Sequence, residues 1–264
     1  MRPSEAIPKV KEAAARALVL DDSLGEAHSS LGIIASRYDW DWPTAEREFE
    51  HALALSPNYA NGHHRYAMHL LYMGRHDEAI REITKAQELD PLELIFGANI
   101  GGVYNLVGDF AQAESRLRKT LELGPDFLPA HQALARTLCL QGRFAEAISE
   151  AREAVRLSHN GPRPAATLGY VCAKAGLPEE ARRILDELTA RSKDAYVAPT
   201  FFALIHAGLG ERDPMFDWLE RAYRERDVFL LDTLTDPLLA SERTVPRFAD
   251  LLRRVGLPAG KDHP

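Results

Sequence analysis

The chain has only two cysteines, Cys139 and Cys172, in 264 residues. Two cysteines do not make a disulfide framework, so no covalent staple is expected to hold the fold. Both fall in stretches read as helix and are expected to be reduced, buried or groove-lining. No apolar run approaches the roughly 18 residues of a membrane span, and no signal peptide is visible. Cations are the minority charge: 32 Lys and Arg against 39 Asp and Glu, a net charge of −7. That excludes a surface that binds nucleic acid all over, though not a local patch. The sequence also lacks a nucleophile motif, a phosphate-binding glycine loop and a Cys-x-x-Cys pair. Acid pairs such as Asp77-Glu78 and Glu179-Glu180 fall at expected helix starts, where they complement the helix dipole. No residue is therefore assigned a catalytic role, and no cofactor is expected.

What is present is a period. Gly74, Gly108, Gly142, Gly176 and Gly210 lie 34 residues apart. Glycine is about 7% of an average chain, so chance gives this in one chosen frame about once in a million. A fixed period of this size marks a stack of similar supersecondary units. With the glycine as position 15, units start at Ala60, Leu94, Leu128, Pro162 and Tyr196. Position 8 is small: Ala67, Gly101, Ala135, Gly169, Ala203. Position 20 is Ala79, Ala113, Ala147, Ala181 and then Met215. Positions 8 and 20 are expected to meet where the two helices of one hairpin cross. Position 24 is mostly large and apolar, as at Ile83, Leu117, Leu185 and Leu219, with Ala151 the exception. Pro91 and Pro125 at position 32 end second helices.

One further unit starts at Gly25, with Gly32, Ala45, Phe49, Ala52 and a closing Pro57. Its loop is one residue longer, lacks the glycine and reads Asp39-Trp40-Asp41-Trp42. Ala6 to Leu20 matches only a second helix, with Ala14, Ala17, Leu18 and Leu20 in register. The chain is thus expected to begin inside a repeat, as a piece cut from a longer protein with Met1 added; the alternative is a natural start on a lone capping helix.

From residue 6 to about 227 the sequence resembles tetratricopeptide-repeat proteins, on positions 8, 15 and 20. The resemblance implies an all-α, right-handed superhelical solenoid of antiparallel helix pairs. A narrower resemblance rests on Tyr38-Asp39-Trp40-Asp41-Trp42 with Ala45-Glu46, on Glu88-Leu89-Asp90-Pro91, and on the run Pro246 to Pro258. These look like a bacterial group in which the array forms the C-terminal half of multidomain regulators. There the N-terminal partner is a winged-helix domain, a nucleotide cyclase or a kinase, and none of these lies in this sequence.

The register predicts helices near 26–36, 44–55, 61–73, 77–89, 95–107, 111–123, 129–141, 145–157, 163–175, 179–190, 197–209 and 213–225. The organisation read from it is a partial repeat over 1–24, six units (25–59, 60–93, 94–127, 128–161, 162–195, 196–227) and a helical cap over 228–264. Thr244-Val245-Pro246 opens a last helix, stopped by Gly256 and Pro258. Its apolar face, Phe248, Leu251, Leu252 and Val255, is expected to cover the last unit around Trp218 and Tyr223.

His63, His64 and His69 cluster in sequence, and His28 and His131 lie elsewhere. His28, His63 and His131 share position 4, which argues packing, and none forms the i, i+4 pair of zinc enzymes. No metal site is expected. Trp40 and Trp42 could form a ligand platform, but the favoured reading is that they plug the longer loop.

The concave groove of this fold is lined by first helices, mainly at positions 2, 5, 6, 9, 12 and 13. Those positions include Arg37, His64, Arg65, Tyr72, Asn99, Asn105, Gln132, Arg136, Arg163, Tyr170 and Lys174, with Glu26 as the one acid. An acidic chain thus keeps a basic groove, which suits a carboxylate-bearing partner. The competing reading pairs these cations with acids on neighbouring second helices. The two-carboxylate clamp of chaperone-tail binders fails here: Asn99 fits, but His64, Met68, Pro129 and Ala133 do not.

The expected function is a non-catalytic scaffold or sensor module. It would bind an acidic peptide, a partner domain or its own N-terminal domain, with no direct nucleic-acid binding. The alternative is sensing of a small ligand that controls an attached output domain. The expected compartment is the cytoplasm, or outside it if the parent protein is membrane-anchored.

Overall fold

The structure, a computed structural model, describes residues 3–258. All regular structure among them is helical. Contacts divide the chain into two units, residues 1–96 with 243–264 and residues 97–242.

The first unit holds α1 (Pro3–Leu20), α2 (Gly25–Ile34), α3 (Trp42–Leu55), α4 (Ala60–Tyr72), α5 (His76–Leu89) and, from the far end of the chain, α15 (Pro246–Arg254). The second holds most of α6 (Leu94–Leu106), then α7 (Phe110–Leu123), α8 (Leu128–Leu140), α9 (Phe144–Leu157), α10 (Pro162–Lys174), α11 (Pro178–Arg191), α12 (Pro199–Leu209) and α13 (Arg212–Arg224). A short α14 (Leu230–Thr235) and a 3-10 turn (Pro237–Glu242) complete it. Within each unit consecutive helices pack as neighbours, as in α2 with α3, α4 with α5, α8 with α9 and α12 with α13.

The period has a backbone cause. Gly74, Gly108, Gly142, Gly176 and Gly210 all have φ between +71° and +79°. Each follows a first helix and turns the chain so that the next N–H reaches back to a free carbonyl. Arg75 donates to Leu70, Asp109 to Tyr104, Arg143 to Leu138, Leu177 to Cys172 and Glu211 to His206, each at 2.9 Å. This is the Schellman closure of a helix, and only glycine adopts its left-handed conformation without strain. In the first repeat the extra residue is absorbed as a π-helical turn over Ala35–Asp39. Trp40 takes the left-handed place there, at φ +58°. Asp41 then caps α3 by accepting from the Thr44 amide, and Asp39 pairs with Lys11.

Position 20 is sealed: Ala45, Ala79, Ala113, Ala147, Ala181 and Met215 are all 0% exposed. The glycines of position 8 lie against larger side chains. A Cβ built on Gly101 would lie 2.5 Å from Leu117 Cγ, and one on Gly32 would lie 3.0 Å from the Phe49 ring. Both partners stand at position 24. At these two glycines the missing side chain makes room for the large residue at position 24, and at Gly169 it makes room for Ile205 of α12, because van der Waals volume at a crossing is shared.

Charges link repeats in a recurring pattern. Arg75 grips Glu78 of its own helix and Glu46 of the preceding repeat, the latter at 2.6 Å. Arg143 does the same with Glu146 and Glu114. At the last junction the signs are exchanged, with Arg182 donating to Glu211 at 3.1 Å. Side chains with two partners on rigid helices hold geometry better than isolated surface pairs.

The last helix is not where the sequence placed it. Phe248, Leu251 and Val255 are at most 1% exposed, but α15 belongs to the first unit. Trp42 Nε1 donates to the Val255 carbonyl at 2.9 Å. Gly256, at φ +71°, sits so close that a Cβ would come 2.6 Å from Trp42 Nε1. Trp218 instead stacks on Phe202, with centroids 4.2 Å apart. Amphipathicity reveals that a helix has a buried face, not which surface buries it.

Candidate functional site on the first helices

The candidate residues divide between the two units, and only some of those in each unit converge. In the second unit Asn105 and Gln132 point along the array. Asn105 Nδ2 donates to Thr137 Oγ1 at 2.9 Å, and Gln132 Nε2 to Thr167 Oγ1 at 3.0 Å. Both amides are buried and tie neighbouring first helices together. Asn99 is half-buried on α6.

Arg136, Arg163 and Tyr170 converge on the chain's own segment after the repeats. Arg136 forms an ion pair with Asp236, whose side chain is 3% exposed. The Arg163 guanidinium lies over the Phe229 ring, 5.1 Å from its centroid. Tyr170 Oη donates to the Leu238 carbonyl at 2.9 Å. Burial, with the like charge of Arg163 nearby, pushes the Arg136 guanidinium down to about 10, so it stays charged at neutral pH. Leu230, Leu231, Leu234, Leu238 and Leu239 are all buried. Full burial of such side chains stabilises by about 1.5–3 kcal/mol each. The segment is anchored at its start by Asp227, whose carboxylate accepts from Thr200 Oγ1 at 2.8 Å and from the Phe229 amide at 3.0 Å.

Sequence reasoning missed the acids of this segment. Asp232 and Asp236 stand outside the repeat register, so no position number pointed them at Arg136. Their spacing between leucines was the available signal.

Lys174 lies apart, exposed, at a cleft of about 360 Å³ that it shares with Tyr170, Arg212, Ser241 and Glu242. Arg212 and Glu242 pair across it at 3.0 Å.

In the first unit lie Arg37, His64, Arg65 and Tyr72. Arg37 lies over the Tyr72 ring at 5.9 Å. Arg65 reaches the hydroxyls of Ser29 and Ser30, each at 3.4 Å. His64 packs against Phe96, with centroids 5.2 Å apart. Burial pushes its imidazole down to about 4, and Arg65 and Arg37 add to the effect. His64 is therefore neutral at pH 7.

The position-4 histidines each make two hydrogen-bond contacts as well as packing. His28 Nδ1 faces Glu48 at 2.8 Å and Nε2 faces the Asp22 carbonyl. His63 faces Glu82 at 2.6 Å and the Pro57 carbonyl at 2.9 Å. His131 faces Glu150 at 2.6 Å and the Pro125 carbonyl at 2.7 Å. Each ring thus bridges a turn and a second helix. At His63 the hydrogen bond to Glu82 raises the imidazole pKa. His69 is different: it is 1% exposed, bonded to Glu46 and Ser36, and its pKa is lowered by burial. Among the described residues no group of three or more such side chains could hold a metal ion.

Two family models, both described as tetratricopeptide repeat, match residues 106–163 and 60–91. The chain carries tetratricopeptide repeats. It is 25% identical over 229 residues to the TPR repeat-containing protein YpiA of Bacillus subtilis (strain 168), covering 80% of this chain and 52% of YpiA. It is 27% identical over 135 residues to the BBSome complex member BBS4 of Bos taurus, covering 51% of this chain and 26% of BBS4. The chain thus spans about half, or less, of the length of these relatives. Among solved structures, a chain of the APC/C hetero-tetramer Cut9-Hcn1 superposes with a TM-score of 0.64 at 17% identity, covering 96% of this chain and 46% of that one. The pilus biogenesis factor PilW gives 0.57 at 16% identity, covering 86% and 98%. At such identities these likenesses speak to the fold, an all-α array of TPR helix pairs. No described helix is long and apolar enough to cross a membrane.

Proposed function

We propose that this TPR array is a non-catalytic interaction module of a larger regulatory protein, working in the cytoplasm. Its first-helix faces hold acidic protein segments. The observation that carries this reading is the convergence of Arg136, Arg163 and Tyr170, from two repeats, on one acidic segment. In the first unit Arg37 and Arg65 place two further cations beside serine hydroxyls and Tyr72, the chemistry that suits a carboxylate.

The test is reversal of Arg65, Arg136 and Arg163 to Glu, with helicity checked by circular dichroism. Partner capture by the parent from native lysate should weaken with salt, and the variant should lose it. Equal capture by both proteins at low and high salt defeats the reading. A second reading, small-ligand sensing, is favoured by the cleft at Lys174, whose volume falls at the small end of the ligand-site range. A metabolite that raises the melting temperature by several degrees in the parent and not in Lys174→Ala would support it.

A further inference from the structure

We infer that residues 228–242 are a resident ligand of the second unit's groove, exchangeable for a partner segment that carries the same acidic, leucine-rich chemistry. This rests on the reading of the first-helix faces as a binding surface. The contacts are those of recognition rather than of repeat packing. They comprise an ion pair from Arg136 to Asp236, a guanidinium of Arg163 over Phe229, and a phenol of Tyr170 on a backbone carbonyl. Arg136 and Tyr170 stand 34 residues apart at the same repeat position, yet each contacts the segment with different chemistry. The repeats pack through alanines, glycines and large apolar residues on their own helices, whereas these three contacts run to the segment after the repeats. Asp232 adds a second acid near Arg136.

The energetics allow exchange. Five buried leucines make simple departure of the segment costly. A second segment with equivalent leucines restores the same burial, so replacement loses only the advantage of the tether. A short tether supplies an effective concentration on the order of millimolar. A free segment of equal affinity must exceed that concentration, or the resident one must be weakened.

The test uses the full chain and a fluorescein-labelled peptide of residues 228–242. In the parent, the peptide should show no binding at micromolar concentration, and hydrogen exchange should find residues 230–239 protected. Asp232→Lys with Asp236→Lys places two more cations beside Arg136 and Arg163. This variant should lose that protection and bind the peptide about 100-fold tighter than the parent. Adding Arg136→Glu should abolish the gain. A variant that stays protected, or opens without binding the peptide, overturns the inference. If the double variant unfolds, the exchange Arg136→Asp with Asp236→Arg decides. Native protection supports an ion pair that latches the segment, and unfolding shows an indispensable structural element. A glutamate-rich peptide without leucines separates the two proposals. If it alone binds the opened variant, the basic groove stands and the resident-ligand inference falls. If neither peptide binds, both fall for this unit.

Discussion

Gly101 and Gly102 are adjacent in α6, yet opposite effects are expected when each becomes alanine. A Cβ on Gly101 would sit 2.5 Å from Leu117 Cγ and 2.8 Å from Cδ2. Cγ is the branch point of a side chain that is 0% exposed, so it has nowhere to swing. Overpacking of this kind costs about 1–3 kcal/mol. The gain in helix propensity from Gly to Ala returns up to about 1 kcal/mol. A net loss of about 1–2 kcal/mol is expected for Gly101→Ala, and more for Gly101→Leu. A Cβ on Gly102 meets nothing within 4 Å. Gly102→Ala should therefore stabilise by up to about 1 kcal/mol. Urea unfolding followed by circular dichroism reads the difference, with hydrogen exchange of α6 amides as a local check. Adding Leu117→Ala should relieve part of the Gly101→Ala defect, because the two sites are coupled by contact. Equal stability of the two single variants would refute the packing argument and the repeat register behind it.

Four other outcomes are expected. The His63 pKa is raised, first by its hydrogen bond to Glu82, so its contribution is full below about pH 6.5 and lost as pH rises through the folded value. Glu82→Gln should lower the urea midpoint at pH 6 and leave it near that of the parent above pH 8; a pH-independent difference would contradict this pairing. Trp42→Phe removes the bond to Val255 and should cost about 0.5–1.5 kcal/mol, read as faster exchange in α15 amides, and unchanged exchange there would count against it. Gly256→Ala should loosen the same helix further, through strain at φ +71° and collision with Trp42, measured in the same way. Burial pushes the thiols of Cys139 and Cys172 up to about 11, so neither should react with a disulfide reagent at pH 8 until the protein is denatured; rapid labelling of the native protein would disprove their burial.

The 34-residue glycine period is a local property of the backbone. Each glycine answers one left-handed turn and one carbonyl, so it is legible without any tertiary contact. Helix positions and the sealed alanines follow from it, because every repeat solves the same packing problem. The histidines of position 4 were legible as a repeated feature, and their Glu partners recur 19 residues on, 20 in the unit with the longer loop, but only the fold shows that the two side chains meet. The groove list identified first-helix residues, and the fold then separated their roles. Asn105 and Gln132 bond to neighbouring threonines, burial neutralises His64, and Arg136 meets Asp236. None of these outcomes has a sequence signature, since each depends on which side chain lies across a gap. The segment after Asp227 shows the limit most plainly. It lies outside the period, so its pattern of leucines and acids predicts a buried face and no address. Only the tertiary structure assigns Asp236 to Arg136 and Val255 to Trp42, because a hydrophobic face is non-directional and the surface that covers it is chosen by shape.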